Sequence, residues 1–294
     1  MNKIKSIVQL LRPQQWSKNL FIFMPLFFSA NVNNIHQLTL CFYAFVSFSF
    51  VASAIYCIND VIDIEDDRKH PEKSQRPLAS GQVAIKTAIR LSILLLVVGI
   101  SFLLLTNTNI NLIIVVLLYL IMNIAYVFKL KQIAIIDVMC ISSGFVLRVV
   151  VGGLAADVVL SHWIVLMTFL LALFLAFAKR RDDVLHHLKK GIIARKNIVN
   201  YNTEFLNAMM GITATITIIS YIMYTVDKEV IERFNNHQYI YVTSIFVLAA
   251  IFRYLQIAMV QEQSGSPTKI LLKDKFIQIC IVGWIIAFVF IIYV

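Results

Sequence analysis

Long apolar stretches recur along the whole chain and constrain its fold more than any other feature. A helix needs about 20 mostly apolar residues to cross the hydrocarbon core of a bilayer. Hydrophobic residues make up 60% of this chain and charged residues only 14%, which is far from the composition of soluble proteins. We therefore expect an all-α integral membrane protein, a single domain over 1–294, with about nine transmembrane helices at 19–33, 37–57, 84–106, 109–128, 134–154, 160–178, 205–226, 238–259 and 276–294.

The first of these stretches has an alternative interpretation. It is short and contains Pro25, so it could instead form a re-entrant or interfacial segment. Without it, the number of crossings would be even.

The basic residues indicate the orientation. With nine spans and a cytoplasmic N-terminus, 23 of the 26 Lys and Arg residues fall in cytoplasmic segments or within the cytoplasmic ends of the adjoining spans, as the positive-inside rule requires. Because this bias also accounts for the net charge of +10, no nucleic-acid partner is needed, and anionic membrane lipids suffice as counter-charges. We predict a multi-pass protein of the cytoplasmic (inner) membrane with no cleaved signal peptide.

Acidic and basic residues are concentrated directly after the second stretch, in the segment NDVIDIEDDRKHPEKSQRPLASG at 59–81. Asp60, Asp63 and Asp67 are at i, i+3 and i+7 and would share one face of a continuing helix. Mg²⁺ takes oxygen ligands and is commonly held by one or two carboxylates together with phosphate oxygens. Lys73 and Arg76 follow, where they could bind the remaining phosphate oxygens. A solvated acidic loop is the alternative.

This segment, with its pattern NDxxDxxxD followed by RPLxSG, resembles the first aspartate-rich signature of the UbiA superfamily of membrane prenyltransferases. The resemblance implies helices around a central cavity that opens to the cytoplasmic side. It also implies an active site at that face in which Asp60, Asp63 and Asp67 hold Mg²⁺. These carboxylates and Lys73 would be catalytic, and Asn59 and Arg76 would bind substrate.

Two further patterns resemble the branch of this superfamily that contains decaprenyl-phosphate phosphoribosyltransferase. One is the variant with His70-Pro71 and Lys73, and the other is Arg12-Pro13-x-x-Trp16-x-Lys18-Asn19. This resemblance implies phosphoribosyl diphosphate as the donor, a polyprenyl phosphate as the lipid acceptor, and a substrate-binding role for Lys18.

The connection between the fourth and fifth stretches resembles a diverged second signature of the superfamily. It supplies Tyr126, Lys129, Lys131 and Asp137 as predicted substrate-binding residues, and it lacks a second complete DxxxD. A lysine-rich second site suits a second phosphate better than a second metal.

Two groups of basic residues have alternative interpretations. Arg148 lies near the helical stripe of Asp137 and Gly144, where it could contact an anionic substrate or satisfy carbonyl groups of a neighbouring helix. Lys179, Arg180 and Arg181 end the sixth stretch and could be a topogenic anchor. The resemblance makes all four predicted substrate ligands.

Two other functions remain open. A prenyltransferase that acts on an aromatic or quinone-precursor acceptor would use the same metal site to ionise an allylic diphosphate. A transporter would also place polar residues in its spans, but we find no matching pair of Gly- or Pro-interrupted spans.

Overall fold

The computed structural model describes residues 3–29, 31–71, 73–106, 109–190, 196–234, 238–262 and 267–293, and these residues form helices and short connections. The α-helices are α1 Lys3–Leu11, α2 Met24–Phe28, α3 Ile35–Ile62, α4 Ile64–Lys69, α5 Ile85–Leu104, α6 Ile110–Phe128, α7 Ile136–Ala156, α8 His162–Lys190, α9 Thr203–Val226, α10 Lys228–Arg233, α11 Ser244–Met259, α12 Pro267–Lys273 and α13 Lys275–Tyr293. The all-α prediction is confirmed.

Seven helices in the described residues are long and apolar enough to cross a membrane: Ile35–Ile62, Ile85–Leu104, Ile110–Phe128, Ile136–Ala156, His162–Lys189, Thr203–Val226 and Tyr239–Met259. A shorter apolar helix covers Lys275–Ile291. The remaining predicted span, 19–33, is not one long helix. A 3₁₀ helix, Pro13–Phe23, is followed by the five residues of α2. The count of nine spans therefore stays a prediction.

The chain divides into two compact units. Unit 1 contains Met1–Ile133 and Gly144–Leu160, and unit 2 contains Ala134–Ser143 and Ser161–Val294. Helix α7 begins in unit 2 and continues into unit 1. That the chain forms a single domain over 1–294 likewise stays a prediction.

Hydrogen bonds to α3 hold the N-terminal 3₁₀ helix of unit 1. Trp16 Nε1 donates to Ser53 Oγ at 3.0 Å, and Asn19 Nδ2 donates to Ser49 Oγ at 2.9 Å. Ser49 and Ser53 are one helical turn apart and therefore face the same side of α3. These two bonds attach the 3₁₀ helix to α3.

Helices α3 and α5 also pack closely within unit 1. A Cβ at Gly99 would lie 3.0 Å from the Ser47 carbonyl oxygen, so the glycine allows the two backbones to approach. Ser92 Oγ donates to the Ala54 carbonyl oxygen at 3.1 Å. The opposite side of α5 is apolar and exposed, at Ile85, Ile89, Ile93, Val97, Ile100 and Leu104.

Unit 2 has its own apolar core, formed by buried side chains of α8, α9, α11 and α13. Phe174 and Tyr254 meet edge to face, with ring centroids 5.2 Å apart. At the start of α13, Asp274 accepts from the Ile277 N–H and pairs with Arg253 of α11 at 2.8 Å. One carboxylate therefore caps α13 and ties it to α11.

Candidate active site

Two buried carboxylates of the first signature converge on the same guanidinium group. Arg76 Nη1 lies 3.2 Å from Asp60 Oδ1 and 2.6 Å from Asp67 Oδ2. Arg12 also donates to Asp60 Oδ1. Asp60 is 2% exposed and Asp67 is 3% exposed. Two carboxylates withdrawn from water to this extent require positive charge beside them, and the two arginines supply it.

The three aspartates do not lie on one continuous helix: Asp60 is on α3, Asp67 is on α4, and Asp63 is the residue between them. Helix α3 ends at Ile62 and α4 begins at Ile64, so Asp63 lies at the break, with φ −88° and ψ 6°. Its side chain accepts from Lys131 Nζ at 2.5 Å, while Lys131 Nζ lies 3.5 Å from Asn59 Oδ1. Asp63 pairs with Lys131, a cation from the second predicted cluster, whereas Asp60 and Asp67 pair with Arg76.

Oxygen donors thus converge in pairs at two positions in unit 1, and each position is marked by a cationic nitrogen. Asp60 and Asp67 meet at Arg76, whereas Asn59 and Asp63 meet at Lys131. In the described residues no group of three or more His, Cys, Asp or Glu side chains is arranged to hold a metal ion. Two hard oxygen donors at each position still fit Mg²⁺, because the ion completes its octahedron with water and phosphate oxygens.

Three other predicted residues of unit 1 lie at partly accessible positions. Lys73 and Tyr126 are half-buried, and Lys129 is exposed where α6 ends. The Lys73 N–H donates to His70 Nδ1 at 3.3 Å. Lys129 is therefore available to an anion that approaches from solvent.

Lys18 has an unusual electrostatic environment. It is half-buried on the 3₁₀ helix. Burial, followed by the nearby charges of Arg148 and Arg12, lowers the pKa of Lys18 to about 8. A lysine surrounded by positive charge favours the binding of an anion, which is consistent with its predicted substrate contact.

Arg148 is buried and fully engaged within unit 1. Its guanidinium donates to Asn19 Oδ1 at 2.8 Å, to the Gly144 carbonyl oxygen at 2.7 Å and to Tyr119 Oη at 3.1 Å. The rings of Phe48, Tyr119 and Phe145 surround it, with centroids 5.0–5.4 Å away. This geometry favours the alternative in which Arg148 organises neighbouring segments.

In unit 2, Asp137 is the centre of a second buried cluster. Arg180 Nε donates to Asp137 Oδ2, and Tyr201 Oη donates to Asp137 Oδ1 at 2.7 Å. Tyr201 Oη accepts in turn from the Ile135 N–H at 2.6 Å, and Ile135 has a φ of 69°, which is rare for a β-branched residue. Burial raises the pKa of Tyr201, so its proton is retained for the bond to Asp137.

The basic triplet at the end of the sixth stretch has two buried members and one exposed member. Arg180 also donates to Asp183 Oδ2 at 2.7 Å. Arg181 donates to Asn207 Oδ1 and to the Ala258 carbonyl oxygen, both at 2.6 Å, and thereby joins α8 to α9 and α11. Lys179 is exposed and is the member best placed to meet a substrate phosphate.

The sequence analysis did not identify Arg12, Asn19 or Tyr201 as functional residues. Arg12 and Asn19 stand within the quoted N-terminal pattern, which was a usable signal. Tyr201 is 64 residues from Asp137, and no local pattern connects the two.

Seven membrane-length helices and two clusters of buried, paired carboxylates and guanidinium groups define a class: an integral membrane protein with charged groups held inside it. The sequence profile of the UbiA prenyltransferase family matches residues 20–280. The chain is 31% identical to decaprenyl-phosphate phosphoribosyltransferase of Corynebacterium glutamicum, over 100% of this chain and 88% of that protein. It is 32% identical to the protein of the same name from Mycolicibacterium smegmatis, over 97% of this chain and 91% of that protein.

Solved structures show the same fold. A UbiA homologue from Archaeoglobus fulgidus, bound to GPP and Mg²⁺, superposes with a TM-score of 0.72 at 19% identity and covers 98% of this chain and 100% of that chain. A digeranylgeranylglyceryl phosphate synthase superposes with a TM-score of 0.66 at 18% identity, and the match covers 100% of both chains. This chain belongs to the UbiA prenyltransferase family and is a membrane transferase.

Proposed function

We propose that this protein transfers a 5-phosphoribosyl group from phosphoribosyl diphosphate to a polyprenyl phosphate, in a Mg²⁺-dependent reaction at the cytoplasmic face of the inner membrane. The observation that carries the proposal is the similarity over nearly the whole chain to relatives named decaprenyl-phosphate phosphoribosyltransferase. The concentration of basic residues in the predicted cytoplasmic segments supports the orientation.

Asp60, Asp63 and Asp67 would hold Mg²⁺, with the Asn59 amide oxygen beside Asp63. When bound, Mg²⁺ neutralises charge on the departing diphosphate. Arg12, Arg76 and Lys131 pair with these carboxylates. If these carboxylates held Mg²⁺, the same basic groups would be available to bind diphosphate oxygens. The catalytic role of Lys73 follows from its position in the same segment.

The acceptor needs little activation by the protein. A polyprenyl phosphate is already anionic near neutral pH, so the enzyme's task is to hold its oxygen against the sugar carbon from which diphosphate departs. The exposed or half-buried groups Lys18, Tyr126, Lys129 and Lys179 are the proposed phosphate contacts. Arg148, Arg180 and Arg181, which are buried and hydrogen-bonded within the protein, would act by orienting the helices that carry them.

The state of Asp137 helps to separate the phosphoribosyl and prenyl alternatives. Its two carboxylate oxygens accept from Arg180 and Tyr201, so its charge is already balanced by protein groups. A site with one metal-binding signature and additional basic residues suits two phosphate-bearing substrates. The alternative, prenyl transfer to an aromatic or quinone-precursor acceptor, is kept because a solved structure of the same fold holds GPP and Mg²⁺.

A transfer assay tests the proposal. Purified protein in detergent with Mg²⁺ would receive labelled phosphoribosyl diphosphate with a polyprenyl phosphate, and in parallel a labelled prenyl diphosphate with aromatic acceptors. We expect label from phosphoribosyl diphosphate to appear in the lipid extract. This label should be lost when Mg²⁺ is chelated. A prenylated aromatic product and no labelled phosphoribosyl lipid would establish the alternative.

Two substitutions test the metal ligands. We expect Asp60→Asn and Asp63→Asn each to lower the Mg²⁺-dependent rate by at least about 100-fold, because each removes a charged ligand at the reacting phosphate. Asp66→Asn is the matched control, since Asp66 is an exposed acid in the same segment. Near-normal rates in both variants, with the protein folded in the membrane, would refute the metal assignment.

A further inference from the structure

Helix α1 is too short to cross a bilayer, yet it exposes apolar side chains. Its nine residues cover about 13 Å at 1.5 Å per residue. Ile4 is 69% exposed and Val8 is 46% exposed, and their spacing of four residues places them on one face. Lys5 and Gln9 are exposed on the next face. Helix α1 therefore has a water-compatible side and an exposed apolar side.

The third side of α1 packs on α3, at Ala54 and Cys57, and on the segment that leads into α5. Ser6 Oγ donates to Gln82 Oε1 at 2.9 Å. Leu10 is completely buried, in a cluster with Val83, Ala88 and Leu95. The position of α1 is thus held by a hydrogen bond and by apolar packing.

A membrane-length helix begins three residues after Gln82, the residue that Ser6 of α1 contacts. Helix α5 is a membrane-length helix, and its exposed row begins with Ile85, Ile89 and Ile93. Exposed apolar residues on such a helix face acyl chains. Ile4 and Val8 are exposed apolar residues on a helix that is too short to span.

Basic side chains alternate with these apolar ones. Lys86 and Arg90 are exposed on the first two turns of α5, and Lys5 is exposed on α1. The sequence has no Asp or Glu in 1–59 or in 82–136, so no acid from either stretch offsets these charges. Exposed apolar residues interleaved with lysine and arginine are the pattern of a helix that lies in the headgroup region.

We propose that Ile4, Lys5, Val8, Ile85, Lys86, Ile89 and Arg90 form a contact surface for anionic phospholipids, with α1 lying in the plane of the membrane at the level of the headgroups. Ile4 and Val8 enter the upper acyl region, and the three basic groups bind lipid phosphates. Because Arg12, which follows α1 directly, contacts Asp60, this surface also sets the position of the carboxylate cluster relative to the headgroups.

Site-directed fluorescence tests the placement of α1. Single cysteines at Ile4, Val8, Lys5 and Gln9, in a Cys140→Ser background, would carry an environment-sensitive dye in reconstituted vesicles. The other native cysteines, Cys41, Cys57 and Cys280, are buried. We expect quenchers attached to the upper acyl chain to act on labels at Ile4 and Val8, and aqueous iodide to act on labels at Lys5 and Gln9. Equal access of iodide to all four labels would overturn the proposal.

A charge-neutral variant tests the lipid specificity. With the dye at position 8, adding phosphatidylglycerol to phosphatidylcholine vesicles should shift the dye emission further to the blue. The triple variant Lys5→Gln/Lys86→Gln/Arg90→Gln should lose this additional shift. Lys228→Gln, which neutralises an exposed lysine at the start of α10, should keep it. The same spectra for the triple variant and the wild type would show that the basic residues do not recognise anionic lipid. Neither experiment requires substrate turnover, so failure of the transfer assay does not affect them.

Discussion

Arg12 illustrates how the backbone conformation of one residue determines where its charge lies. It connects α1 to the 3₁₀ helix with φ 51° and ψ 57°, a left-handed conformation that costs about 1–2 kcal/mol in a residue other than glycine. The guanidinium contacts Asp60 and lies 5.1 Å from the centre of the Tyr56 ring. These contacts offset the backbone cost and maintain a positive charge at a buried carboxylate.

Lys18 leads to a prediction about pH. Burial and the charges of Arg148 and Arg12 lower the pKa of Lys18 to about 8, so the free protein loses this positive charge as the pH rises through 8. If Lys18 contacts a substrate phosphate, the KM for phosphoribosyl diphosphate should increase over that range. The measurement is KM from pH 6.5 to pH 9.5. Above the pKa of Lys18, KM should increase by at most about tenfold per pH unit.

Lys18→Arg is the matched control for this prediction. Arginine keeps its charge throughout the range, so the variant should bind the donor with a KM that changes much less above pH 8. A parallel rise in the wild type and in Lys18→Arg would assign the pH dependence to another group.

At the scale of elements, the close approach of α7 to the 3₁₀ helix leads to a prediction about stability. A Cβ at Gly152 would overlap the carbonyl group of Ile22, and backbone atoms cannot move aside as the end of a side chain can. Gly152→Ala should therefore destabilise the protein by about 1–3 kcal/mol, the usual cost of overpacking. Thermal unfolding in detergent measures the effect.

Helix α9 provides the control for Gly152→Ala. A Cβ at Gly211 would meet nothing within 4 Å, and alanine is favoured over glycine inside a helix by about 1 kcal/mol. Gly211→Ala should leave the melting temperature unchanged or raise it. Equal effects of the two substitutions would contradict the proposed contact between α7 and the 3₁₀ helix.

At the scale of the whole molecule, the orientation in the membrane is open to direct measurement. Two exposed loop residues, Ser80 and Val159, should lie on opposite sides of the bilayer, with Ser80 cytoplasmic. Single cysteines at these positions, in the Cys140→Ser background, would be labelled with a membrane-impermeant maleimide. We expect Ser80→Cys to react only in inside-out vesicles and Val159→Cys only in right-side-out vesicles.

The reverse labelling pattern would place the active site outside the cytoplasm and would remove access to a cytoplasmic donor. Labelling of both positions from the same side would mean that the number of crossings between them is even. The positive-inside bias makes both outcomes unexpected, because 23 of 26 basic residues lie on one predicted side.

Sequence patterns predicted the long helices well, because apolar length is a local property. The same patterns did not predict the helix types at 19–33, where the structure has a 3₁₀ helix that ends at Phe23 and the short α2. The hydrogen bonds of Trp16 and Asn19 to serines of α3 hold this segment, and bonds between distant segments have no local periodicity. At Asp63 the helical spacing suggested a shared face, but one helix ends at Ile62 and the next begins at Ile64, and the Asp63 side chain pairs with Lys131.

The sequence alone therefore determined that the chain is an α-helical membrane protein with a UbiA-type acidic signature, because hydrophobic length and motif spacing are properties of short segments. Tertiary structure decided how the charges pair. It assigned Arg12 and Arg76 to Asp60, Lys131 to Asp63, and Arg180 and Tyr201 to Asp137. A buried charge must find its partner among whatever groups packing brings near it, and packing joins residues that are far apart in the chain.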